Sequence, residues 1–96
     1  MPHSKEYFLM VMSGTEDGRT FEIGKDQMTI GSGDANDVII RDDPFIRPIH
    51  VLLVKREGQF FLISESLSDK NKPITVPVNV GQIFTLGETE FAIKVK

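Results

Sequence analysis

In this 96-residue chain no apolar run is longer than six residues, and turn-forming residues close most of the runs within a few positions. A helix of ordinary length needs ten or more residues of 3.6-period patterning, which such runs cannot supply, whereas strands of four to six residues fit them. Eight glycines and five prolines fall between the runs. The chain is therefore expected to form many short strands around one core, with turns every eight to twelve residues, as in an all-β sandwich.

The runs place the strands. Residues 7–12, YFLMVM, form a first apolar run closed by Ser13-Gly14. Glu16 to Arg19 is a turn signal before Thr20-Phe21-Glu22-Ile23, whose alternation reads as a half-buried strand hairpinned with the first. Met28-Thr29-Ile30 alternates likewise and precedes Gly31-Ser32-Gly33-Asp34, a cluster suited to positive φ and a tight turn. Val38-Ile39-Ile40 resumes the strand pattern. Residues 51–54, VLLV, and 60–63, FFLI, are continuous apolar runs on either side of a Gly58-containing turn, expected as a hairpin buried on both faces. Residues 64–73 are polar, a loop of the kind that carries binding surfaces. Two or three closing strands follow, from Val76-Val78-Val80, residues 83–86 and residues 91–95. There is no internal repeat, and residues 1–96 are expected to form one domain.

Composition narrows the function. A net charge of −3 with no basic stripe excludes a duplex-binding surface, which requires clustered Lys and Arg against phosphates. The lack of cysteine removes disulfides, thiolate metal sites and Cys nucleophiles together. No apolar run approaches the roughly 18 residues that a membrane helix needs. The serines have no His and acid arrangement near them, and the aspartates lack the spacing of an EF-hand loop, so neither an enzyme nor a cofactor or metal site is expected. Gly31-Ser32-Gly33 has neither a following helix pattern nor a P-loop lysine.

The most informative stretch is Met28 to Lys55, MTIGSGDANDVIIRDDPFIRPIHVLLVK. Its order of strand, Ile30-Gly31, polar loop, Asn36-Asp37-Val38-Ile39-Ile40, acidic turn, His50 and two apolar strands resembles a forkhead-associated (FHA) domain. With Gly81, Leu86-Gly87 and Phe91 the likeness extends over nearly the whole chain. The resemblance implies an FHA-like β-sandwich of two twisted, mainly antiparallel sheets, with recognition loops gathered at one edge. In that family the loops bind phosphothreonine peptides. Here the phosphate-binding Arg falls on Ser32, the phosphate-binding Ser on Arg47 and the Arg after it on Pro48. Only His50 is kept, which in the family braces the loop. Pro48 is expected to fix the loop before the strand and to protect an edge. The family's later Asn, which holds the peptide backbone, corresponds to Asn71.

The loss is large on the scale of recognition energies. Two missing charge-assisted hydrogen bonds at roughly 1.5 to 3 kcal/mol each lower affinity on the order of 10² to 10⁴-fold. Asp34, Asp37, Asp42 and Asp43 face only Arg41 and Arg47 in the same loops, so a phosphate dianion would meet net repulsion. Within the FHA group, Gly31-Ser32 and Arg47-Pro48-Ile49-His50 leading into residues 51–54 resemble the cytoplasmic N-terminal domain of the type III secretion inner-membrane ring protein, the YscD and PrgH type. That resemblance implies a non-catalytic adaptor on the cytoplasmic side of the bacterial inner membrane, cut from a longer membrane protein. Its implied partners are cytoplasmic-ring or sorting-platform components. It is expected to be oligomeric in the assembled ring and monomeric as an isolated domain. The expected interaction face comprises Ser32, Asp34, Asp37, Asp42, Asp43, Arg47 and Asn71, supported by Gly31 and His50. A divergent phosphothreonine reader using Arg47 with Ser32 and Asn71 is the alternative.

Overall fold

The structure is a computed structural model and describes residues 6–64 and 73–96. Nine strands follow in order: β1 (Tyr7–Val11), β2 (Thr20–Ile23), β3 (Gln27–Gly31), β4 (Val38–Ile39), β5 (Val51–Arg56), β6 (Gln59–Ser64), β7 (Ile74–Val78), β8 (Ile83–Leu86) and β9 (Thr89–Val95). They make a four-stranded sheet, β2-β1-β9-β8, and a five-stranded sheet, β4-β3-β5-β6-β7. All neighbours are antiparallel except the short β3–β4 pair. This is the all-β sandwich expected from the spacing of turns.

The core follows from the pleat, which sends alternate side chains to opposite faces. Leu9, Val11, Phe91 and Ile93 on one sheet meet Ile30, Leu53, Phe60 and Leu62 on the other, all within one buried cluster. Phe84 and Phe91 stack with centroids 5.8 Å apart, and Tyr7 stands edge-on to Phe60 at 5.1 Å. The β5–β6 hairpin closes on Glu57-Gly58, whose φ values of 52° and 80° match the twist of the strands in a two-residue turn. Glycine is at ease there, and the hairpin tolerates Glu57 in the same left-handed region.

Two expectations are corrected. The β5–β6 hairpin is not buried on both faces: Leu52, Phe61 and Ile63 are only half-buried, because each layer of a two-layer sandwich has one inner face. The cluster at Gly31 to Asp34 uses no positive φ; Gly31 ends β3 as an ordinary strand residue. A closer constraint acts on it. A Cβ at Gly31 would lie 2.3 Å from the Pro48 carbonyl oxygen and 2.9 Å from Asn36 Nδ2, so two loops approach the strand too closely for any side chain.

Candidate functional site

The loops β3–β4 (residues 32–37) and β4–β5 (residues 40–50) are tied to each other by main-chain hydrogen bonds. The Ser32 N–H donates to Arg47 O at 3.0 Å, the Gly33 N–H to Pro48 O at 3.1 Å, and the His50 N–H to Ile30 O at 2.9 Å. Asn36 is buried between them, its Nδ2 donating to Gly33 O at 2.8 Å and to Pro48 O at 2.5 Å. Pro48 thus works as an acceptor within the loop junction and guards no strand edge. The main chains of Ser32 and Arg47 are brought together here, while Asn71 lies outside the described residues.

His50 braces this junction. Its Nδ1 accepts the Arg47 N–H at 3.1 Å, which requires a neutral ring with its proton on Nε2. Burial, and then the Arg47 charge, hold its pKa below the ordinary histidine value, while Asp43 pulls weakly the other way. The folded state therefore binds this proton less readily than the unfolded chain. The stability it contributes is full above the ordinary histidine pKa and is lost as pH falls through the lowered value. The His50 ring is expected to titrate below the ordinary histidine range by NMR. The thermal midpoint should fall between about pH 7 and about pH 5, with a shallower slope in His50→Ala. Titration at or above the ordinary value would contradict the brace.

The four aspartates separate by environment. Asp34 and Asp42 are exposed, and Asp34 pairs with Arg41 across the two loops. Asp37 is held in place: it pairs with Lys25 at 2.6 Å and accepts the Thr29 N–H at 2.9 Å, contacts that lower its pKa. Asp43 departs furthest from the expected solvated acidic turn, being only 5% exposed. Its Oδ1 accepts the Phe45 N–H at 2.9 Å; its Oδ2 accepts the Glu88 N–H at 2.6 Å and the Thr89 hydroxyl at 2.8 Å. Burial pushes its pKa up, but these donors outweigh burial and leave it below the usual carboxylate value. Asp43 therefore fastens the β4–β5 loop to the β8–β9 turn and presents nothing to a partner.

What the loop face does present was not read from the sequence. Phe45 is 61% exposed and Ile49 69% exposed, on either side of half-buried Arg47. Arg47 forms no ion pair among the described residues. Below Ile49 a groove of about 490 Å³ runs along the outer face of the five-stranded sheet, lined by Thr29, Arg47, Ile49, His50, Leu52 and Ile63. The available signal was the run Pro44-Phe45-Ile46-Arg47-Pro48-Ile49, in which prolines keep apolar residues out of a regular strand. Among the described residues no group of His, Cys, Asp and Glu is arranged to hold a metal.

The model for the cytoplasmic domain of the inner-membrane component of the type III secretion system matches residues 10–96. The chain belongs to this family. It is thus a cytoplasmic domain of a type III secretion inner-membrane component. Among solved structures it is similar to the FHA domain of CT664 from Chlamydia trachomatis, at 19% identity and a TM-score of 0.74 over 93% of this chain and 96% of that one. It is also similar to the cytoplasmic domain of PscD, a type III sorting-platform protein from P. aeruginosa, at 14% identity and a TM-score of 0.74 over 93% of this chain and 79% of that one. Mycobacterium tuberculosis EmbR, solved with a low-affinity phosphopeptide, shares the fold at 18% identity and a TM-score of 0.74 over 98% of this chain and 25% of that one. No curated protein sequence matches the chain. The fold is therefore that of an FHA domain.

Proposed function

We propose that this type III secretion domain is a non-catalytic docking module whose β3–β4 and β4–β5 loops receive cytoplasmic components of the apparatus, without conventional phosphothreonine binding. The observation that carries this reading is the exposure of Phe45 and Ile49 around Arg47, in the loop where an FHA domain would carry its phosphate contacts. Aromatic and apolar side chains beside an arginine are the composition of a protein interface core. With Asp34 paired to Arg41, exposed Asp42 leaves the rim net negative, which disfavours a phosphate and favours a basic partner surface. The likeness to PscD, described as a sorting-platform protein, supports a partner among cytoplasmic components of the apparatus.

The rim makes the reading testable. Asp34→Lys with Asp42→Lys is expected to lower recruitment of cytoplasmic apparatus components by about tenfold, chiefly through association rate, and to leave the thermal midpoint unchanged. Unaltered recruitment and secretion would sink the idea.

One observation favours a second reading, a divergent phosphothreonine reader: Arg47 has no carboxylate partner among the described residues. Calorimetric titration with a phosphothreonine peptide library separates the two. The docking reading expects no saturable heat up to about 1 mM peptide. A saturable signal abolished by Arg47→Ala establishes the reader instead.

A further inference from the structure

From Pro73 to Gly87 the chain carries no charged residue, although 26% of the whole sequence is charged. That stretch builds β7 and β8, which are the edge strands of the two sheets. Only residues 79–82 join them, too few to cross the sandwich, so both edges lie on the same side. Of the seven large apolar side chains exposed among the described residues, four are here: Ile74, Val76, Val80 and Ile83. The opposite side is guarded differently. Beside β2, Lys96 pairs with Glu22 and Arg19 lies 4.6 Å over the Phe21 ring; around β4, Lys25 pairs with Asp37 and Arg41 with Asp34. Charge is a common protection for a sheet edge, and among the described residues only one side of this molecule has it.

The backbone of β7 defines what can approach. The two-residue turn at Glu57-Gly58 makes Arg56 and Gln59 a hydrogen-bonded pair, so Phe60, Leu62 and Ser64 turn their main-chain groups toward β7. Their partners Val78, Val76 and Ile74 are thereby satisfied, and Thr75 and Pro77 point outward. Proline has no N–H, so the open edge offers one donor, from Thr75, and two carbonyls. Turned by a two-fold axis through Val76, that edge meets itself with Thr75 opposite the partner's Pro77. Each Thr75 N–H then finds a carbonyl, and no donor is stranded. The same rotation brings two uncharged apolar strips together.

We propose that this side is a contact between two copies of the chain, isologous about Val76 and separate from the loop face. A neutral strip has no charge complement in a charged partner, and a second copy presents the matching neutral surface. With few side chains per copy the contact falls in the weak class, well below the 20–30 residues a side of a standard interface.

Sedimentation equilibrium of the 96-residue chain tests it. Association is expected to emerge between about 10 µM and about 1 mM, and to be lost by at least about tenfold in Val76→Lys and in Val76→Asp alone. Because Val76 faces its own copy, mixing the two variants should restore association. Should Val76→Lys fail to fold, Val80→Lys puts a charge at the end of the same apolar strip without entering a strand, and is expected to weaken the association. A wild-type chain monomeric throughout overturns the proposal. So does Val76→Lys associating like wild type, a mixture that does not recover, or a strip that takes up only a different protein.

Discussion

Gly31→Ala is expected to destabilise the domain by roughly 2–4 kcal/mol and to lower its thermal midpoint on the order of 15 °C, although it adds one methyl group. The new Cβ would sit 2.3 Å from Pro48 O and 2.8 Å from Pro48 C, both main-chain atoms that cannot rotate away. Relief requires the β4–β5 loop to lift from β3. That movement stretches the Ser32-to-Arg47 and Gly33-to-Pro48 hydrogen bonds and pulls Asn36 from its acceptors. Chemical denaturation measures the loss directly. A cost below about 0.5 kcal/mol, the range of neutral surface changes, would show that the loops are not held as described.

Asp43→Ala is the second large effect, expected at roughly 2–4 kcal/mol. The substitution strands the Phe45 N–H, the Glu88 N–H and the Thr89 hydroxyl in a buried junction, and an unsatisfied buried donor costs more than a hydrogen bond gains. Asp43→Asn keeps the volume but replaces one carboxylate oxygen with a donor that faces donors, so it should fall between Ala and wild type. The carboxylate pKa is lowered in the folded state, so its contribution is present above the ordinary aspartate pKa and vanishes as pH falls through the lowered value. At acid pH the stability gap between wild type and Asp43→Asn should therefore narrow. A gap unchanged with pH would contradict an ionised brace.

Much of the architecture was legible because it is local. The alternation in residues 20–23 and 28–30 and the runs on either side of Gly58 each specify a strand within a few residues, and the turn at Gly58 specifies a hairpin. What was illegible depends on distant contacts. Asp42 and Asp43 are adjacent and chemically identical, yet one is exposed and the other buried, and the residue that decides this, Glu88, is 45 positions away. Gly31 reads as a turn glycine until the Pro48 carbonyl arrives from another loop. The outer face of β5 and β6 looks buried because apolar composition reports strand formation without reporting how many layers cover it. At the loop face, the main chains of Ser32 and Arg47 meet because the end of β3 and the start of β5 are paired. Phe45 and Ile49 were passed over because apolar residues beside a strand ordinarily enter the core.

The docking claim rests on those two side chains. Its most direct measurement is the amount of cytoplasmic apparatus components that co-purifies with the full-length inner-membrane protein carrying Phe45→Glu and Ile49→Glu. Both residues are exposed, so the fold should persist, while the loss of interface anchors is expected to reduce recovery by at least about tenfold. Recovery equal to wild type, with the variant folded, would contradict a docking surface on this face.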